Sequence, residues 1–221
     1  MDFKNTISTI KDIYDRLVEQ HGDSLISVQR PKGRQDIIFG ALMGITNSRE
    51  FSFLDVGCGV GHLLEYFIKN ESKVKYTGID VSPKMIEICR NKFSGNEDIY
   101  FHCCNLFELP GLNAFDYVGL SGTLNNNPEQ LPYHKYLSYV TYTIDHMFSL
   151  CRVGISFNLM TTYVDYQTPG AFYANPVDII EFVRTLTRRF VLRCDYMPYE
   201  FTVYAYKDQE IIRPDNIYHR V

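Results

Sequence analysis

The sequence of 221 residues contains no apolar run approaching the roughly 20 residues that a membrane-spanning helix requires. Its first twenty positions carry Asp2, Lys4, Lys11, Asp12, Asp15 and Arg16, so they lack the apolar centre of a secretory signal, and a cytoplasmic protein without a membrane partner is expected. An excess of one sign of charge is also missing. The formal net charge of −4 supplies no electrostatic footprint for a phosphate backbone, and nucleic acid is not expected as a partner. The six cysteines, Cys58, Cys89, Cys103, Cys104, Cys151 and Cys194, include no C-x-x-C pair and no histidine at a metal-ligand spacing. They predict neither a metal site nor disulfides, but reduced side chains packed as small hydrophobes. Internal repeats, low-complexity tracts and an interdomain linker are absent as well. One domain spanning residues 1–221 is expected at this length, with residues 1–47 as a helical accessory segment and residues 51–206 as the core.

What is present is a regular alternation. Phe3, Ile7, Ile10, Tyr14 and Leu17 recur at helical steps and predict an amphipathic helix ending near Gly22; a second helix is expected over residues 33–44. Apolar, strand-like runs follow at residues 51–56, 74–79, 99–103, 115–120 and 154–159. Helical patterns separate them at residues 61–69, 83–92, 134–150 and 176–188, two of these with evident caps, Ser82-Pro83 and Asn175-Pro176. Strands that alternate with helices make a parallel sheet covered on both faces, a doubly wound α/β fold. Two further strands, residues 190–196 and 201–206, are joined by too few residues for a crossover, so one strand near the C-terminus must run antiparallel.

The first strand runs into Gly57-Cys58-Gly59-Val60-Gly61. In an open parallel sheet this is where ligands bind, because glycines let a ligand lie against bare backbone and the following helix offers free N-H groups. A nucleotide-like cofactor is the class of ligand implied. The spacing is G-x-G-x-G rather than the dinucleotide G-x-G-x-x-G, and Asp55 precedes the first glycine by two residues, where a carboxylate suits a cationic amino group better than a pyrophosphate. That disfavours a nicotinamide-dependent dehydrogenase. The second strand ends on Asp80, at about the interval from Gly57 expected of an acid that accepts both ribose hydroxyls.

These residues resemble the class I S-adenosylmethionine-dependent methyltransferases. Asp55-Val-Gly-Cys-Gly-Val-Gly61 is similar to the family's first motif and Gly78-Ile-Asp80-Val-Ser-Pro-Lys-Met85 to its second. Asn105-Leu-Phe-Glu-Leu-Pro110 is similar to the third and Phe115-Asp-Tyr-Val-Gly-Leu-Ser121-Gly to the fourth. The resemblance spans about residues 51–160 and implies a Rossmann-like sheet of seven strands, mostly parallel with one antiparallel strand near the C-terminus, and N-terminal helices acting as a lid. It also implies S-adenosylmethionine as cofactor and S-adenosylhomocysteine as product. Position by position, Asp55, Gly57, Gly59 and Gly61 would surround the methionine moiety, Asp80 with Val81 the ribose, and Met85 one face of the adenine. Asn105 and Leu106 would lie at the adenine edge, and the backbone at Leu120 and Ser121 would take the amino group. Asn105 stands where the family typically has an acid; its amide can both accept and donate, or simply cap the next turn. Shorter phrases, among them Tyr173-Ala-Asn-Pro176 and Tyr199-Glu-Phe-Thr-Val-Tyr204, resemble bacterial small-molecule methyltransferases, including those associated with surface polysaccharide synthesis.

The fourth motif lacks the Asn/Asp-Pro-Pro-aromatic signature of DNA-amine or protein-glutamine methylation, so a small polar acceptor methylated on oxygen is the expectation. Methylation of nitrogen or of a carboxylate, or cofactor binding without turnover, are the alternatives. Acceptor-side candidates at the same rim are Tyr133, Asn158 and Tyr173, with Tyr163 and Tyr166 in the long connection after the fifth strand. His134 is the candidate general base, since imidazole titrates near neutrality, with a solvated helix-start residue as the alternative. Arg30, Lys32 and Arg34 lie between the N-terminal helices, where one of them can meet the cofactor carboxylate. The tyrosine-rich helix faces are compatible with a monomer or a homodimer.

Overall fold

A computed structural model of the chain describes residues 3–29, 34–109 and 115–207. Seven strands, β1 (Glu50–Val56), β2 (Lys73–Asp80), β3 (Ile99–Cys103), β4 (Phe115–Ser121), β5 (Cys151–Met160), β6 (Phe190–Arg193) and β7 (Glu200–Tyr206), form one sheet in the order β3-β2-β1-β4-β5-β7-β6. The pairs among β1 to β5 are parallel, whereas β7 is antiparallel to both β5 and β6. This is the doubly wound, Rossmann-like sheet with a single reversed strand that the short final connection requires. Among the described residues six α-helices accompany it: α1 (Lys4–His21), α2 (Gln35–Met43), α3 (His62–Lys69), α4 (Pro83–Lys92), α5 (Tyr133–Leu150) and α6 (Pro176–Leu186).

Successive strand residues feed opposite faces, and both faces are covered, which is why the central strands read as unbroken apolar runs. Phe53 joins Phe51, Phe67 and Tyr76 in an edge-to-face aromatic layer under α2, α3 and α4, with ring centroids 5.2 to 6.3 Å apart. Its neighbour Leu54 points the other way, into a core with Val118, Ile155, Phe157 and Phe201 of the sheet and Tyr136, Ile144, Ile179 and Val183 of α5 and α6. Gly119 on β4 makes room for the aromatic layer: a Cβ there would lie 2.2 Å from the Phe53 ring.

The helix starts agree with their cap residues. Ser82 accepts from the N-H of Met85 and Asn175 from that of Val177, each followed by proline. Two ends differ from expectation. Helix α6 stops at Leu186 because Thr187 is extended (φ −157°, ψ 156°) and donates its hydroxyl to the Tyr206 carbonyl at 2.7 Å, turning the chain into β6. Strand β6 ends at Arg193, not residue 196, where its guanidinium folds onto Asp195 at 2.8 Å and Tyr196 takes up the Thr202 hydroxyl at 2.9 Å. Of the cysteines, Cys58, Cys89 and Cys151 are buried as small hydrophobes, but Cys103 and Cys194 are exposed and Cys104 is half-buried. Among the described residues no helix is long and apolar enough to cross a membrane.

Candidate active site

Strand β1 is flanked by β2 on one side and β4 on the other, so the chain's direction of winding reverses beside it, and a crevice opens at the carboxyl ends of these strands. The glycine turn is pinned to the end of β2. Gly57 and Cys58 both donate to the Ile79 carbonyl (2.8 and 3.0 Å), and Gly59 donates to Asp80 Oδ2 (3.0 Å). Asp80 Oδ1 accepts from Ser82 N-H (2.9 Å), and the Ser82 hydroxyl donates to Asp15 on α1, which ties the first helix to the same corner.

The cavity above the turn brings together Asp55, Gly57, Gly59, Asp80, Val81, Met85, Asn105, Leu106, Leu120 and Ser121. Gly61 is not among its lining residues. It adopts φ +85° at the start of α3, where a Cβ would stand 2.6 Å from the Phe93 ring, so this glycine serves helix packing. Asn105 lines the cavity and also caps the turn at Leu106–Glu108, accepting from Phe107 N-H at 2.8 Å. Lining residues that the sequence did not single out include Val28, Gln35, His62 and Thr123, while Tyr14 was read only as part of the first helix. Gln35 Nε2 lies 3.0 Å from His62 Nδ1, joining α2 to the start of α3, and burial foremost lowers the His62 pKa. His62 directly follows the glycine turn, the one signal that marked it. Arg30 and Lys32 lie outside the described residues.

Asp55 is 2% exposed, and its Oδ2 accepts from the Tyr76 hydroxyl at 2.6 Å. Burial raises its carboxyl from 3.8 to about 7, against the smaller opposite effect of Tyr76. A carboxyl raised on folding holds its proton better in the folded than in the unfolded chain, so the stability it contributes is complete below about pH 4 and is lost as pH rises towards 7. Without cofactor, the Asp55→Asn variant, which keeps an oxygen for Tyr76, is therefore expected to lose less melting temperature than the parent between pH 5 and pH 8. Parallel curves in scanning calorimetry would remove Asp55 as the source.

A second cavity, of about 370 Å³, adjoins the first and shares Tyr14, Val28 and Gly122 with it. Tyr173 lines it, as do Arg34, Asn125, Asn126, Asp165, Tyr166, Tyr199 and Glu200. Four acceptor-side expectations are not brought to either cavity. His134 is exposed on the outer face of α5. Tyr133 donates to Asp178 (2.7 Å), accepts from Asn175 N-H (3.0 Å) and stacks on Phe172, stapling α5 to α6, and burial pushes its phenol up to about 12. Asn158 is fully buried beneath the rim, accepting from Gly122 N-H (2.9 Å) and donating to Glu200 Oε2 (2.7 Å). Tyr163, 65% exposed, lines neither cavity.

Residues 53–138 match the methyltransferase domain family. The Mycobacterium tuberculosis (strain ATCC 25618 / H37Rv) protein Rv1506c, whose name gives it provisionally as a methyltransferase, is 32% identical over 169 residues, 75% of this chain and 99% of that one. A malonyl-[acyl-carrier protein] O-methyltransferase of Acetivibrio thermocellus is 26% identical over 152 residues; the match takes in 63% of this chain and 53% of that enzyme. Among solved structures, magnesium protoporphyrin IX methyltransferase (ChlM) from Synechocystis PCC 6803 with bound SAM superimposes with a TM-score of 0.64. It covers 94% of this chain and 98% of its own at 19% identity, a likeness of fold. With the glycine turn at the switch point of the sheet and a relative matched along nearly its whole length, the chain belongs to the class I S-adenosylmethionine-dependent methyltransferases.

Proposed function

We propose that this methyltransferase acts on a small polar metabolite, methylating an oxygen of an acceptor held in the second cavity. The carrying observation is that this cavity, about 370 Å³ and within the range of small-molecule sites, shares Tyr14, Val28 and Gly122 with the cavity over the glycine turn. An acceptor there would lie next to the cofactor. S-adenosylmethionine supplies an activated methyl group on a sulfonium. The residues present fit it: Gly59 leaves bare backbone, and Asp80 offers carboxylate lone pairs beyond those taken by Gly59 and Ser82. Val81, Met85 and Leu106 supply apolar surface, and Leu120 and Ser121 backbone groups at the β4 end. The protein's own work is to align the two reactants, which is worth ~7 to 11 kcal/mol, and to exclude water.

Helix α1 is suited to that second task. Tyr14 lines both cavities and accepts from Asn126 Nδ2 at 2.6 Å, and Asp15 accepts from Ser82, so the helix closes over the junction as a lid. Oxygen of a hydroxyl is favoured over a carboxylate by charge. Among the described lining residues, Asp165 and Glu200 outnumber Arg34, and a net negative cavity repels an anionic acceptor. The name of the Acetivibrio relative, an O-methyltransferase, agrees with an oxygen acceptor.

The test is incubation of the protein with methyl-labelled S-adenosylmethionine and a deproteinised metabolite extract, followed by sorting of labelled products. Ether-linked label, stable to mild alkali, is the expected result; label in alkali-labile esters or in amines alone would overturn the hydroxyl reading. In the same assay His134→Ala is expected to stay within about threefold of the parent, since its side chain faces solvent. A loss of 10²-fold or more, the usual scale for a missing general base, would return His134 to the site.

A further inference from the structure

We propose that Glu200 is the general base that removes the acceptor's hydroxyl proton, and that Asn158 is the residue that positions it; this rests on the reading of the acceptor as a hydroxyl. Strand β7 is the reversed strand, so its first residue, Glu200, stands at the same rim as the carboxyl ends of the parallel strands, in register with Met160 of β5. The sequence therefore delivers a carboxylate to the reactive edge of the sheet from the end of the chain opposite to the glycine turn.

Two hydrogen bonds then connect that carboxylate to the cofactor side. Glu200 Oε2 accepts from Asn158 Nδ2 at 2.7 Å, and Asn158 Oδ1 accepts from the N-H of Gly122 at 2.9 Å. Gly122 lines both cavities, Glu200 lines the acceptor cavity, and Asn158 is fully buried between them. A buried carboxamide whose oxygen and nitrogen are both engaged is a rigid spacer, which fixes the carboxylate at the junction of the cavities. Among the described residues no cation pairs with Glu200, so Oε1 is left to take a proton. The other carboxylate of the cavity, Asp165, lies in the exposed connection after β5 and has no such support.

The step balances as follows. The acceptor oxygen uses a lone pair to form a bond to the methyl carbon as the carbon-sulfur bond breaks and its electron pair returns to sulfur, giving S-adenosylhomocysteine. The O-H proton passes to the Glu200 carboxylate, which releases it to water after product leaves. Charge is conserved, because the sulfonium is lost as one proton is gained. No oxidant, reductant or metal enters.

The experiment compares the parent with Glu200→Gln, which keeps the shape and an oxygen for Asn158 but cannot act as a base. The probe is methyl-labelled S-adenosylmethionine with the deproteinised extract, and binding of S-adenosylhomocysteine is followed by calorimetry. Glu200→Gln is expected to lower the rate of ether formation by about 10² to 10⁴-fold with S-adenosylhomocysteine affinity within twofold of the parent. Asn158→Ala should cost about tenfold in kcat alone and nothing further when combined with Glu200→Gln, since a positioning residue has no role once its base is gone. A merely structural Asn158 would add its loss to the double variant. Ether formation by Glu200→Gln within threefold of the parent overturns the proposal while leaving the oxygen reading intact. Label only in esters, or none transferred by the parent, overturns the oxygen reading and the base together.

Discussion

Asp80→Ala is expected to weaken S-adenosylmethionine binding by roughly 10- to 150-fold, the equivalent of ~1.5 to 3 kcal/mol for hydrogen bonds to a charged group. The carboxylate has two tasks at this corner. Its oxygens accept backbone N-H groups, among them Ser82 at 2.9 Å and Gly59 at 3.0 Å, and this fixes the glycine turn against the end of β2. Asp80 lines the cavity, where the ribose hydroxyls would donate to its carboxylate. Alanine removes both the ribose acceptors and the tie to Gly59. Asp80→Asn separates the two, since one amide oxygen still accepts but the charge and the second acceptor are gone, and an intermediate loss is expected. Isothermal calorimetry of S-adenosylmethionine binding, with far-ultraviolet circular dichroism to verify the fold, decides the matter. Unchanged affinity in a folded Asp80→Ala protein would take the ribose away from this carboxylate.

The sheet and the glycine turn at its rim were legible in the sequence for a shared reason. Parallel strands must be apolar on both faces, crossovers must be helical, and a turn with residues at φ +75°, +56° and +85° requires glycine at Gly57, Gly59 and Gly61. These are local demands, visible in consecutive residues. Gly61 shows the limit of such reading, because a left-handed residue at a helix start looks the same whether the space beside it belongs to a ligand or, as here, to Phe93. Of the second cavity only Tyr166 and Tyr173 were legible as acceptor-side residues, because its other parts come from distant stretches: Tyr14 from α1, Gly122 after β4, Glu200 at the start of β7. Only pairing of β7 with β5 makes Glu200 a neighbour of Asn158. His134 was misleading for a geometric reason. It follows β4 in sequence, but on α5 it precedes the buried Tyr136 by two residues, roughly 200° around the helix, and so faces solvent. Asn158 was noticed as a rim residue, yet its amide is spent on Gly122 and Glu200, which no spacing rule discloses.

Gly59→Val is expected to abolish measurable S-adenosylmethionine binding, a loss of at least about 100-fold, in a protein that still folds. Gly59 has φ +56°, a left-handed conformation that costs an L-residue ~1 to 2 kcal/mol and a β-branched one more. A Cβ built there would stand 3.0 Å from Val28 Cγ1 and 3.9 Å from Met85 Sδ, and both neighbours line the cofactor cavity. The two methyls of valine would therefore fill space between the segment that follows α1 and the floor of the cavity, where the ligand needs bare backbone. Strain and occlusion are separable. Gly59→Ala pays the conformational cost and meets Val28 with a single methyl, which a small shift of that side chain relieves. It is expected to melt below the parent but above the valine variant, and to retain weakened binding. If the alanine variant loses binding as completely as the valine variant, distortion of the turn and its hydrogen bond to Asp80 is the cause. If a folded valine variant binds S-adenosylmethionine with the parent's affinity in calorimetry, the cofactor does not lie against this turn.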